Sequence, residues 1–173
     1  MTVILIDGPS GSGKTELALR MRDGWAGEDR PTLLHLDDVY PGWDGLEAAS
    51  VQITEHVLLP FREQRMGRDR IGGEHRAPRW QRYDWVAERA VEWHEIDPAL
   101  PLIVEGCGAL SRRNARLADI RIWVEADDAV RKDRALARDG DPYAREWDRW
   151  EAQWQAFIRR ENPRALATLV VAT

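Results

Sequence analysis

Residues 8–15, Gly-Pro-Ser-Gly-Ser-Gly-Lys-Thr, constrain this chain more than any other stretch. They fit the spacing Gly-x-x-x-x-Gly-Lys-Thr and follow the apolar run TVILID at 2–7. Behind them Leu17, Met21 and Trp25 recur every four residues, the spacing of a helix face. Strand, glycine-rich turn and helix in that order are the context in which this pattern holds phosphate. Gly8, Gly11 and Gly13 let the backbone turn so that successive N–H groups converge on phosphate oxygens, and the helix adds its positive N-terminal end. Lys14 supplies an ammonium between the outer phosphates. The Thr15 hydroxyl is suited to Mg²⁺, which is otherwise held mainly by phosphate and water. The reading is a triphosphate cradle made of Gly8, Pro9, Ser10, Gly11, Ser12, Gly13, Lys14 and Thr15; the bland alternative is a glycine-rich turn that holds nothing.

Five short runs read as buried strands: 2–8, 32–38, 100–106, 119–126 and 167–173. Helical spacing fills the intervals. Leu46, Ala49, Ile53 and Val57 share one face, Val86, Ala90 and Trp93 a second, and Val130, Arg134 and Arg138 a third. Strands alternating with helices predict an α/β protein, a three-layer sandwich around a five-stranded parallel sheet. At 173 residues the chain is expected to be one domain, 1–173. The segment 61–82 is read as an insertion or hairpin over the sheet, because Gly67, Gly72, Gly73 and Pro78 interrupt it. Its arginines, Arg62 to Arg82, can form either a solvated face or a cover for an anionic substrate.

Charged residues make up 32% and hydrophobic residues 43%, a balance that excludes a membrane or disordered chain. The formal net charge of −5 argues against a nucleic-acid partner. A single cysteine, Cys107, cannot form an internal disulfide and reads as a small buried residue. With no targeting segment visible, a cytoplasmic protein is expected. The sequence assigns no oligomeric state. Trp147, Trp150 and Trp154 are spaced as a packing stripe.

Ligands of open α/β sheets sit at the C-terminal edge of the strands. Asp7, Asp37, Asp38 and Glu105 are the carboxylates expected there. Glu105 ends the run LIVE and is placed to act near Mg²⁺, directly or through water. A carboxylate at Asp37 or Asp38 can take a proton from an attacking hydroxyl, or can simply cap a turn. His35, off the second strand, reads as a hydrogen-bonded histidine.

Taken together, GPSGSGKT, LDDVY, YDW, IVEG and an arginine-rich helix ending in RDG resemble the uridine kinase-like nucleoside kinases of the P-loop NTPase superfamily. The resemblance covers most of the chain in order. It implies ATP and Mg²⁺ as cofactors and phosphate transfer to a hydroxyl of a small molecule such as a nucleoside. It makes Asp37 the catalytic base and Tyr40 the close of its motif. It puts Asp44 at ribose hydroxyls and Tyr83 and Trp85 at the base. Glu105 and Thr15 fall beside the metal, and Arg131, Arg134 and Arg138 on a lid helix reaching the transferring phosphate. Glu88 stands where uridine kinases carry a base-selecting histidine, and Trp85 is larger than the usual Phe. Another small alcohol (a vitamin precursor, sugar or antibiotic) is an alternative acceptor. A nucleotide-dependent switch or ATPase is an alternative function.

Overall fold

The computed structural model describes residues 2–65 and 77–173. Five strands form one parallel sheet: β1 Val3–Asp7, β2 Thr32–His35, β5 Leu102–Glu105, β6 Ile120–Glu125 and β7 Leu169–Ala172. Their order is β2-β5-β1-β6-β7, so β1 is central and hydrogen-bonds to β5 on one side and β6 on the other. All five fall inside the runs expected from the sequence. Successive side chains of β1 point to opposite faces. Ile4 and Ile6 join Ala18, Ile103, Ile122 and Val124 in one apolar layer, which α1 (Lys14–Asp23) covers with Leu17 and Met21. Val3 and Leu5 join Leu34, Leu102 and Val104 in the other layer. The far side of that layer is α2 (Leu46–Gln52), a π turn (Ile53–Leu58) and α3 (Leu59–Arg65), with Ile53, Val57 and Phe61 wholly buried. The result is the expected three-layer α/β/α sandwich.

Two expectations need correction. Val86, Ala90 and Trp93 do not share a helix face. They belong to an antiparallel hairpin, β3 (Arg79–Asp84) and β4 (Arg89–Glu95), with Val86 at its tip, 97% exposed. The i, i+3 and i+4 spacing misled because the apolar residues lie on a turn and a two-stranded ribbon with no common buried face. The Asp84 carboxylate accepts from the N–H groups of Val86 and Ala87, a side-chain-closed turn that stops a helix from starting there. In addition, Asp37 and Asp38 lie in a 3₁₀ turn, Leu36–Asp38, beyond the end of β2 rather than on it. Of the insertion 61–82, the interval 66–76, including Arg68, Arg70 and Arg76, lies outside the described residues.

The short α4 (Arg112–Ala115) is capped by the Ser111 side chain, which accepts from Asn114 N–H. The long α5 (Asp128–Glu161) is broken at Gly140, where φ 68 and ψ −157 are accessible essentially to glycine alone; Pro142 follows. The arginine-rich segment therefore ends at Gly140, and a second helical segment carries the tryptophan stripe. Trp147, Trp150 and Trp154 are all buried. After α6 (Pro163–Leu166) the chain returns to the sheet edge as β7.

Candidate active site

The loop after β1 places Gly11 and Gly13 in the left-handed region, φ 77 and 86. A Cβ on Gly11 would stand 1.9 Å from the carbonyl oxygen of Arg131, so nothing but glycine fits between the loop and the start of α5. Helix α1 begins with no side-chain cap. The first N–H groups of a helix have no intrahelical acceptor, so this end is open to an anion. Lys14 is buried, and its Nζ donates to Pro9 O at 2.9 Å, folded back over the loop. The donor set and the tight cradle fit a phosphate chain.

Asp7 ties this loop to the next strand end. Its carboxylate, wholly buried, accepts from the N–H groups of Gly8 at 2.7 Å, Gly108 at 3.1 Å and Leu110 at 2.7 Å. Burial pushes its pKa up to about 6, against the opposing pull of those N–H groups and Lys14. Glu105, at the end of β5, accepts from the Thr15 hydroxyl at 3.1 Å and meets His35 Nδ1 at 2.6 Å. Burial raises the Glu105 carboxyl, but His35, Lys14 and Thr15 together hold it below the ordinary carboxylate range. The bond to Glu105 holds the His35 imidazole above its ordinary value. Thr15 and Glu105 thus offer two oxygens beside the loop, the small donor set typical of Mg²⁺ completed by phosphate and water. Among the described residues no group of three His, Cys, Asp or Glu side chains could hold a metal by itself.

A cavity of about 480 Å³ opens in front of the loop. Its lining joins Ser10, Gly11, Lys14, Thr15 and Glu105 to Tyr40, Trp43, Trp85, Glu88, Arg138, Tyr143 and Trp150. Asp37 lines it and Asp38 does not. Tyr40 is buried, and its hydroxyl donates to Cys107 O at 2.9 Å. Trp85 Nε1 donates to Asp37 O at 2.9 Å, which pins the hairpin tip to the 3₁₀ turn. Trp43 stacks on Tyr143 with centroids 5.5 Å apart and lies 5.0 Å from Trp85. Tyr83 does not line the cavity; it meets Trp85 edge-on at 5.4 Å and buttresses it.

Three anticipated residues sit elsewhere. The Asp44 carboxylate is gripped by Arg149, with Nε at 2.8 Å, and does not line the cavity. The Arg131 guanidinium is committed to Asp128 at 2.7 Å and to Glu151 at 3.0 and 3.2 Å. Arg134 donates to the Thr173 hydroxyl at 3.2 Å and lines a second cavity of about 450 Å³ with Gly13, Leu17 and Thr173. Only Arg138 of the three faces the first cavity. Sequence reasoning missed Trp150 as a cavity wall because tryptophan at helical spacing reads as packing, and it missed Trp43 and Tyr143 because no local motif marks them.

No family model matches the chain. Across 168 residues it is 27% identical to a curated uridine kinase of Lactobacillus johnsonii, an alignment spanning 91% of this chain and 76% of that protein. Among solved structures it superposes on a possible uridine kinase from Bacillus stearothermophilus, with TM-score 0.59, 18% identity and coverage of 98% and 88%. In sequence the chain is similar to that uridine kinase, and in fold to the possible one. The fold also superposes on a protein provisionally named a fructose transport system kinase from Silicibacter sp. TM1040, with TM-score 0.53, 16% identity and coverage of 98% and 88%. The latter two likenesses concern the fold. The curated likeness adds kinase character, and together they support a P-loop kinase. No helix among the described residues is long and apolar enough to cross a membrane.

Proposed function

We propose that the protein transfers the γ-phosphoryl group of ATP, with Mg²⁺, to a hydroxyl of a small ring-bearing molecule. The observation that carries this reading is a single cavity lined at once by the phosphate loop, by Asp37 and by the rings of Tyr40, Trp43, Trp85, Tyr143 and Trp150. Bound Mg-ATP would supply the phosphoryl group and much of the charge neutralisation. The Gly11–Thr15 backbone and the Lys14 ammonium hold the phosphates in line; Thr15 and Glu105 hold the metal side. Asp37 accepts the proton of the acceptor hydroxyl. Arg138 faces the transferring group, while Arg131 positions the start of α5 against Gly11 through its main chain. The second cavity, beyond Gly13 and flanked by Arg134, is on the side suited to the nucleoside end of ATP. Positioning and electrostatics supply most of the rate in phosphoryl transfer, and this site is built for both.

Asp44 is proposed to brace α5 through Arg149 rather than to hold ribose. An aromatic wall with Asp37 in it favours a kinase over a switch, since hydrolysis needs no ring-sized acceptor cavity. The experiment is single-turnover phosphate transfer from Mg-ATP to a panel of nucleosides and other small alcohols, read by mass spectrometry. Asp37→Asn should slow transfer by roughly 10²–10⁴-fold, with ATP affinity within a few-fold of wild type. Hydrolysis of ATP at equal rates with and without every acceptor would overturn the reading in favour of an ATPase.

A further inference from the structure

β2 and β5 are neighbours in the sheet, and their register sets His35 directly opposite Glu105. Each is the last residue of its strand, at the edge where the cavity opens. Residues paired across a sheet put their side chains on one face. The imidazole and the carboxylate meet there, Nδ1 to Oε1 at 2.6 Å. Thr15, from the first turn of α1, brings its hydroxyl to the same oxygen at 3.1 Å.

Glu105 is held below the ordinary carboxylate range, so it is ionised at neutral pH and only accepts. His35 Nδ1 therefore carries a proton and donates it, whether or not Nε2 carries another. Both donors fall on Oε1. The other oxygen, Oε2, has no hydrogen bond among the described residues, although Glu105 is only 3% exposed and lines the cavity. Something must decide which oxygen stays open, because the last torsion of a glutamate is broad and two-fold. Lys14 does not decide it, since its Nζ donates to Pro9 O and Cys107 Sγ. The Thr15 hydroxyl rotates to suit its surroundings. The imidazole is planar, stands on a strand and makes the shorter bond.

Resting on the kinase reading above, we propose that His35 is a positioning residue for the metal side of the site. Its Nδ1–H fastens Glu105 by one oxygen and leaves the other for Mg²⁺ or for a water on it. Thr15, with its proton given to Oε1, keeps its lone pairs for the same cation. His35 touches neither metal nor nucleotide; it acts through the carboxylate, and outer partners of this kind are typically worth 10–100-fold in metal affinity.

The probes are Mg²⁺ and the non-hydrolysable β,γ-imido analogue of ATP. Binding of the analogue to the full chain is measured calorimetrically in EDTA and across a series of Mg²⁺ concentrations. His35→Phe keeps a ring and loses the donor. It should need about 10–100-fold more Mg²⁺ for half of the gain in affinity, while affinity in EDTA stays at the wild-type level. His35→Leu, a donor-less variant of different shape, should behave alike and carries the test if the phenylalanine variant does not fold. His35→Asn brings an amide N–H to the place of Nδ1 and should stay within about threefold of wild type. In a Glu105→Gln background, His35→Phe should add little further loss. Wild-type Mg²⁺ dependence in the donor-less variants overturns the inference. So does an asparagine variant as impaired as they are, a full second loss in the Glu105→Gln background, or analogue binding by wild type that ignores Mg²⁺. Metal dependence that moves as stated with no phosphate transfer to any alcohol sinks the kinase reading and leaves this inference standing.

Discussion

Trp150 Nε1 donates a hydrogen bond to Ser10 Oγ at 3.1 Å, joining the aromatic wall of the acceptor cavity directly to the phosphate loop. Trp150 also meets Tyr40 edge-on at 4.8 Å, so one side chain links the loop to Tyr40. Trp150→Phe keeps most of the ring volume and removes the N–H. A buried hydrogen bond contributes about 1 kcal/mol. The melting temperature should therefore fall by about 2–4 °C in a chain of this size. An unchanged melting curve would mean that water replaces the indole at Ser10.

Lys14→Ala removes the ammonium that lies folded over Pro9. Wild type at Mg-ATP concentrations near 100 times the dissociation constant should gain about 2.7 kcal/mol, a rise readable by differential scanning calorimetry. The variant should show little or no rise. A rise of wild-type size in Lys14→Ala would remove the loop from the nucleotide site.

Gly11→Ala tests the cradle itself. The new Cβ would meet a backbone carbonyl, that of Arg131, and the residue would keep a left-handed φ. Overpacking and backbone strain together should cost about 2–4 kcal/mol in urea unfolding. Phosphate binding should weaken in parallel, because α5 must move off the loop. A variant as stable as wild type would show that the loop and α5 separate freely.

Asp7 gives stability a defined dependence on pH. Its pKa rises from 3.8 to about 6 on folding, so the folded chain holds a proton that the unfolded chain has released. Stability should fall as pH rises through that window and level off above it, by about 3 kcal/mol in all. Glu105 acts in the other sense: held below 4.5, it loses its contribution only as pH falls below that value. Urea unfolding between pH 4.5 and 7.5 reads the slope. Asp7→Asn should be less stable, since one amide oxygen cannot serve all three N–H groups, and its curve should be flatter across this range. Parallel curves for the two proteins would assign the slope to other groups.

The sheet was legible because its strands are apolar runs between helical segments; β1 and β5 are buried on both faces, which erases alternation, while β7 at the edge is mostly exposed and was legible from its aliphatic run alone. The phosphate loop was legible because its glycines answer a local need, a turn that brings N–H groups to one point. The hairpin 79–95 was not. Its period-2 pattern is weak: Trp93 is 38% exposed, and only Val91 and His94 of β4 are partly covered. The cavity walls were hidden for a different reason. Trp43, Tyr143 and Trp150 come from a loop and from the far half of α5, and only the fold brings them opposite Lys14. Asp44 shows the converse, since a carboxylate near the right motif is taken by Arg149, a partner 105 residues away.

The break at Gly140 changes what α5 is mechanically. An unbroken rod from Asp128 to Glu161 would be a lever, and any swing of Arg138 would lift Trp150, Trp154 and Phe157 from the core. Divided at one residue, it is two helical segments that meet at a kink. Arg131 reaches across to Glu151 on the far segment and sets the angle at which the two halves rest. Arg131 and Lys132 also lie over the Trp147 ring, so the charged arm is fastened to the tryptophan anchor by cations on both an acid and an aromatic face.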